Sequence, residues 1–408
     1  RLFELTRNTV TPISLTTIDR SLFPTKSDRP ALPMPESLQV ELEEPEDPLR
    51  LRAIAVAALE AASLQGDTVL AADRLNGSVQ QLPLSVPATL DAQNLRIFTQ
   101  DLEPEVIVST EQVEGKNAYF AQLARYETTG AIIRSHVNDR AANLEEGRVD
   151  WEPLINEEFN RGQPKDAAIG EDERRAREEK VAALKTLERS RIGVLTGPAG
   201  TGKTTLLKIL LDQSSVVGRD IQLLAPTGKA RVRLGQQTGR PALARTLAQF
   251  LLEHDRYDPD TGRYVAIDGG STASVSTCVV DESSMLTEDQ LAALCSVLPK
   301  SARLILVGDP QQLPPIGAGR PLVDIIAHLR DEHQGTGLAE LTVSRRQDGG
   351  HLVSALSLPD VQLASLFSGR PLEPGEDEII SAAGTPADSE RLRFVSWDAP
   401  VDLREKLL

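Results

Sequence analysis

Ile192 to Leu207, IGVLTGPAGTGKTTLL, constrains this chain more than any other stretch. An apolar run turns through glycines straight into a helix-forming sequence, in the pattern G-x-x-x-x-G-K-T. Gly197, Gly200 and Gly202 free the backbone to aim successive N–H groups inward at phosphate oxygens. Lys203 adds a charge, and Thr204 a hydroxyl suited to Mg²⁺, with Thr205 beside it. The helix that follows adds a partial positive charge at its N-terminus. The expected element is therefore a strand, a phosphate-cradling loop and a helix.

At 408 residues the chain has room for two or three domains with a substantial core. It opens on Arg1, which reads as a segment of a longer product. No hydrophobic run reaches membrane-span length and no signal segment opens the chain, so a cytoplasmic protein without membrane contact is expected. Cys278 and Cys295 lie in apolar runs, as buried thiols do. A formal net charge of −16 argues against a nucleic-acid partner at first, because such affinity comes largely from phosphate neutralisation. Charge is local, however. Between Asp220 and Glu253 there is no acidic residue, while Lys229, Arg231, Arg233, Arg240 and Arg245 all fall in that window.

Residues 1–112 begin Pro- and Ser-rich, turn acidic around Glu41 to Asp47, and then read as a small helical, winged-helix-like module with Val106 to Val108 as a wing strand. Residues 113–174 read as a helical connector, in which Ala118 to Val137 has the spacing of one amphipathic helix. From residue 175 short apolar runs recur between helical stretches: Ile221 to Ala225, Ser276 to Val280, Leu304 to Val307 and Leu338 to Leu341. Runs with so little polar alternation are strands buried on both faces, and they predict an α/β domain on a parallel sheet over 175–348. Residues 349–408 would begin a further domain. A bound nucleotide belongs at the C-terminal edge of such a sheet.

The chemistry sits where those runs end. Val279-Val280-Asp281-Glu282 offers one carboxylate to hold Mg²⁺ and one to orient the attacking water in phosphoanhydride hydrolysis. Gln312, in LILVGDPQQLPPIGAG, has the reach to sense a γ-phosphate. Arg345 and Arg346 follow the last run and suit a phosphate's developing charge. Arg256 to Val265, RYDPDTGRYV, has the residues of a β-hairpin with a type I turn closed by Gly262, which would place Tyr257 and Tyr264 on its two arms. Those rings offer stacking surfaces for a base, or else cap the hairpin's own core.

GPAGTGKTT, LAPTGKARVRL, VVDESSM, GDPQQLPPIGAG and LTVSRRQ, in that order, resemble the motifs of superfamily 1B helicases and most closely the RecD-like branch. The likeness is strong over about residues 175–350 and weaker upstream. It implies a RecA-like motor domain with the start of a second one. It implies ATP and Mg²⁺ as cofactors, Lys203 and Thr204 on phosphate and metal, Asp281 and Glu282 on metal and water, Gln312 as a coupling residue and Arg346 on the γ-phosphate. It also lays Pro226, Thr227 and Gly228 along single-stranded DNA, with Lys229, Arg231, Arg233 and Thr246 on the same side, and makes the hairpin a pin at the duplex junction. Three positions depart from the family pattern. Its adenine-reading glutamine is replaced here by Glu179, a Thr-Ile-His motif becomes Thr246-Leu247-Ala248, and nothing between Gln347 and Leu408 resembles the last motor motifs. The resemblance implies an ATP-dependent helicase moving 5′ to 3′ on single-stranded DNA. The competing expectation is a nucleotide-gated DNA-binding or docking subunit of a nuclease or repair complex, and a third is an RNA track.

Overall fold

A computed structural model describes residues 2–23, 46–113, 115–161, 170–198, 200–267 and 273–343. The acidic run at 41–45, Arg345 and Arg346, and the segment 349–408 expected to open a second domain lie outside them.

The N-terminal module contains helices α1 (Leu2–Thr6), α2 (Leu15–Leu22) and α3 (Pro48–Ser63), strand β1 (Val69–Ala71), helices α4 (Ala72–Gln80), α5 (Ala92–Ile97) and α6 (Thr99–Leu102), and strands β2 (Val106–Val113) and β3 (Lys116–Leu123). Helix α3 starts where Pro48 needs no hydrogen-bond partner and the Asp47 carboxylate accepts the N–H groups of Leu49 and Arg50 at 2.9 and 3.3 Å. Its Leu51, Ile54, Ala55, Val56 and Leu59 are buried in the module's core with Leu75, Leu90, Leu95 and Leu102. Strands β1, β3 and β2 form an antiparallel sheet, in that order.

Two expectations fail here. Residues 118–137 are not one helix, because Ala118 to Leu123 belong to β3, bonded on one side to β2 and on the other to β1. Two strand partners satisfy that backbone, and the register places Ala121 and Leu123 in the core, so tertiary pairing overrides the helical spacing. The β2–β3 hairpin also runs across the boundary expected at 112/113, and only from Ala124 does a helix, α7 (Ala124–Ala141), leave the module.

Helices α8 (Trp151–Asn160) and α9 (Glu171–Arg189) lead into the α/β domain. There follow β4 (Ile192–Thr196), α10 (Lys203–Leu211), α11 (Ser214–Val217), β5 (Ile221–Ala225), α12 (Gly228–Thr238), β6 (Ala244–Thr246), α13 (Leu247–Glu253), β7 (Tyr257–Asp258), β8 (Arg263–Tyr264), β9 (Thr277–Val280), α14 (Glu288–Val297), β10 (Arg303–Gly308), α15 (Pro321–His333) and β11 (Leu338–Glu340). Six strands pair in the order β11-β4-β10-β9-β5-β6, every pair parallel. Alternate side chains of each strand go to opposite faces, and both faces are covered. Val194, Leu224, Val280 and Leu306 pack with residues of α7, α13, α14 and α15, while Leu195, Leu223, Val279 and Ile305 pack with residues of α8, α9, α10 and α12. Cys278 and Cys295 are buried and free, and burial pushes both thiols up. Among the described residues no helix is long and apolar enough to cross a membrane.

Candidate nucleotide site and nucleic-acid face

The six strands of a parallel sheet all point one way, so one edge collects every loop that leaves a strand's C-terminal end. Gly197 follows β4, Pro226 follows β5, Asp281 follows β9 and Asp309 follows β10. The first is held by contact as well as by conformation. Gly197 has φ +151°, and a Cβ there would lie 2.4 Å from the Leu341 carbonyl oxygen beyond β11. Gly202, left-handed at φ +91°, ends the loop as the N-cap of α10, with Lys203, Thr204 and Thr205 in the helix's first turn, partly buried.

The Lys203 ammonium donates to the carbonyls of Gly197 and Pro198, the latter at 3.1 Å, so it is folded back over the loop. Burial holds its pKa below the usual lysine range, opposed by the negative charges of Asp309, Glu282 and Asp281. Those three carboxylates come from two different loops, and the structure gathers them about one cation. Asp281 is pushed above the usual carboxylate range by burial and then by neighbouring Glu282, while the Glu282 N–H donates to its Oδ1 at 3.0 Å. Glu282 itself is left-handed at φ +52°, a conformation that costs a non-glycine residue about 1–3 kcal/mol and turns the chain sharply after β9. Ser283 fixes that turn, donating to the Val307 carbonyl at 2.9 Å.

A raised, crowded carboxyl beside a lysine is a site short of positive charge. Asp281 with the Thr204 hydroxyl fits Mg²⁺ of the kind that takes one or two protein oxygens and completes its shell with water and substrate phosphates. No group of three or more His, Cys, Asp or Glu residues that could cage a metal unaided occurs among the described residues.

Asp309 was missed by the motif reading, which singled out Gln312 from the same loop. Its carboxylate accepts from the Gln311 N–H at 3.0 Å and its backbone carbonyl from the Gln312 N–H at 3.1 Å, and Gln312 is exposed. Lys180 was missed as well. It is fully buried in α9, and its Cε would lie 3.4 Å from a Cβ at Gly202, so it supports the phosphate loop from beneath while adjacent Glu179 is half-buried.

The basic window divides into two kinds of residue. Arg240 pairs with Asp212 at 2.9 Å and Arg245 with Glu253, so both charges are spent within the fold. Lys229, Arg231 and Arg233, on α12, make no hydrogen bond or ion pair among the described residues, and Lys229 and Arg233 are exposed. Arg233 also acts on the nucleotide edge, since its charge favours the ionised form of Asp281 and disfavours that of Lys203. Thr227 and Thr246 serve as helix caps, accepting from the N–H groups of Ala230 and Gln249, each at 3.2 Å. Pro226 and Gly228 flank the first of these.

The hairpin forms as its turn residues require. Tyr257 pairs with Tyr264, Asp258 with Arg263, and Gly262 is left-handed at φ +70°. The tyrosine rings stack on each other, centroids 4.7 Å apart, and pack against the core beneath. Each half-buried ring lies against the other and against the core, the arrangement expected of rings that cap the hairpin's own core.

A family model described as an AAA domain matches residues 176–360. The ATP-dependent RecD2 DNA helicase of Deinococcus radiodurans is 32% identical over 68% of this chain and 36% of its own length. The RecBCD enzyme subunit RecD of Mycolicibacterium smegmatis is 34% identical over 56% of this chain and 41% of that protein. Over the matched residues this α/β domain is similar to RecD proteins. An uncharacterized protein of Methanocaldococcus jannaschii, 28% identical, matches 77% of the chain and 28% of its own length. The chain therefore spans well under half the length of these curated relatives.

Proposed function

We propose that this RecD-like domain hydrolyses ATP with Mg²⁺ and couples the hydrolysis to movement along single-stranded DNA, 5′ to 3′, unwinding duplex ahead of it. The observation that carries the reading is the position of Lys203 in the field of Asp281, Glu282 and Asp309, at the same sheet edge from which α12 extends three cations that pair with nothing among the described residues. In this reading Lys203 and the loop N–H groups hold the phosphates, Thr204 and Asp281 hold the metal, and Glu282 orients the attacking water. Gln312 senses the γ-phosphate, Arg346 completes its binding, and Arg233 links the nucleotide edge to the nucleic-acid face.

Tyr257 and Tyr264 act by fastening the hairpin to the core, which leaves its turn, Pro259 to Gly262, as the part that meets a duplex junction. Two relatives, a RecD2 DNA helicase and a RecBCD enzyme subunit, support the activity. One of them is a subunit of a larger enzyme, which favours a nuclease or repair assembly as the setting. The test is ATP turnover with and without single-stranded DNA, together with strand displacement on tailed duplexes. Stimulated turnover with displacement is expected. Stimulation without displacement would favour a docking subunit gated by nucleotide, and stronger stimulation by RNA would change the track.

A further inference from the structure

A cavity of about 740 Å³ lies between the N-terminal module and the motor, walled by the start of α7, the β7–β8 hairpin, the start of α14 and the loop at Ile316 to Ala318. Three guanidiniums far apart in sequence meet there: Arg7 before α2, Arg125 in the first turn of α7, and Arg263 on β8. Arg263 makes no hydrogen bond or ion pair among the described residues. Burial holds its pKa below the usual guanidinium range, and the charges of Arg125 and Arg7 push the same way. Arg125 donates to the Tyr126 hydroxyl at 2.9 Å and lies 4.0 Å from the Glu60 carboxylate, while its Nε is buried with no partner. Arg7 pairs with Glu60 at 3.1 Å and with Glu105, yet its Nε too is buried and unpaired.

The backbone adds to this field. Helix α7 is 18 residues long and its N-cap, Leu123, has no side chain that can accept from the first turn, where, among the described residues, only the Ala124 N–H is met, by the Glu105 carbonyl at 2.9 Å. The carboxylates Asp258 and Glu105 of the cavity are each held in fixed contacts. Asp258 accepts from Thr261 and from the Asp260 N–H within its own turn, Glu105 is held by Arg7, and burial pushes Asp289 towards its neutral form against the pull of Arg125 and Arg263. The buried, unsatisfied Nε donors of Arg7 and Arg125, together with Arg263, which pairs with nothing among the described residues, leave donors that an anion would satisfy.

We infer that this cleft binds the phosphodiester backbone of a nucleic-acid strand, as a second contact beyond the one on α12. The inference rests on the nucleic-acid reading proposed above. Its position gives the geometry: α12 covers one face of the parallel sheet, while α7 and α14 cover the other. A strand crossing the sheet's edge would reach both. The rim suits a strand better than a small phosphorylated molecule, because it carries two exposed aliphatic side chains, Leu64 and Ile316, the latter 97% exposed, against which bases can lie. The cleft is also tied to the nucleotide edge. Its Ile316 to Ala318 wall continues the loop that carries Asp309 and Gln312, and that loop is anchored to the N-terminal module where the Gly319 N–H donates to the Gly66 carbonyl at 3.0 Å.

The test uses a fluorescent oligothymidylate, with binding followed by anisotropy over a range of salt, and the double variant Arg125→Gln/Arg263→Gln. Loss of two phosphate contacts should lower affinity about tenfold at low salt and make the log–log salt slope shallower by about 1.4. Arg125→Lys/Arg263→Lys should restore most of the slope, and turnover of ATP without DNA should be unchanged in both variants. An unchanged slope, or a lower melting temperature with no change in slope, would overturn the cleft as a nucleic-acid site. So would inorganic phosphate protecting the parent protein against heat through these arginines while oligothymidylate does not, which marks a small-anion site. If Lys229, Arg231 and Arg233 variants lose oligonucleotide binding and the cleft variants keep it, the cleft inference alone falls. If the parent binds no oligonucleotide, both readings fall together.

Discussion

The nucleotide edge and the arginine cleft both answer a phosphate's chemistry, but they are built in opposite ways. At the edge each functional group sits within a few residues of a strand end, and its counter-charges lie in neighbouring loops, so Lys203 meets Asp281, Glu282 and Asp309 wherever the sheet forms. The cleft has no motif. Arg7, Arg125 and Arg263 come from an N-terminal turn, a helix start and a hairpin, and meet only because the N-terminal module packs on the motor. A site carried by one supersecondary unit survives disturbance elsewhere, while a site between two packed bodies depends on both.

That contrast can be broken, and the largest effect belongs to the edge. Lys203→Ala should reduce ATP turnover by about two to three orders of magnitude while leaving the cleft's share of the salt slope intact. Loss of both in parallel would show that the two sites are one. Asp19→Ala comes next, since it strips the buried partner from Arg50, paired at 2.8 Å with both side chains almost wholly buried. A cost of about 3–5 kcal/mol is expected in the N-terminal module, read as an earlier melting step. Nucleotide affinity should persist after that step while cleft-dependent binding is lost.

Replacing Lys229, Arg231 and Arg233 by Ala should flatten the salt slope by about 2 and weaken all single-stranded sequences alike, because backbone contacts carry no sequence information. A sequence-dependent loss would assign base contacts to α12. The smallest effect concerns Glu288, at the start of α14, which accepts from the Thr129 hydroxyl of α7 at 2.7 Å. Burial raises its pKa to about 7, against that hydrogen bond and Arg134, with Asp289 and Asp324 adding to the rise. The folded state therefore holds a proton that the unfolded state releases between about pH 4.5 and 7. Stability should fall across that window as pH rises, by on the order of 1–3 kcal/mol, and Glu288→Gln should flatten the slope. A melting temperature with the same pH dependence in parent and variant would remove Glu288 from this role.

How much of this was legible follows the same division. Leu304 to Val307 and Ile221 to Ala225 read as strands because burial on both faces leaves an unbroken apolar run, and the cradle reads because its glycines are required by φ and by close approach to Leu341. Ala118 to Leu123 misled because a helical spacing of apolar residues also fits a strand flanked by two partners. Tyr257 and Tyr264 were visible as a pair, but not that they would spend their faces on each other. Asp309 stood inside a recognised loop, and only its position relative to Lys203 distinguishes it from any acidic residue after a strand. The cleft left no trace, since its arginines are separated by more than a hundred residues and share no local pattern.

The central claim is that Glu282, left-handed at the end of β9, orients water for hydrolysis while its neighbours bind nucleotide. Glu282→Gln separates those roles in one measurement, the ratio of bound to hydrolysed ATP in a single turnover with Mg²⁺. The account predicts binding close to that of the parent with hydrolysis slower by about a hundredfold or more. Hydrolysis near the parent rate with binding intact would contradict it.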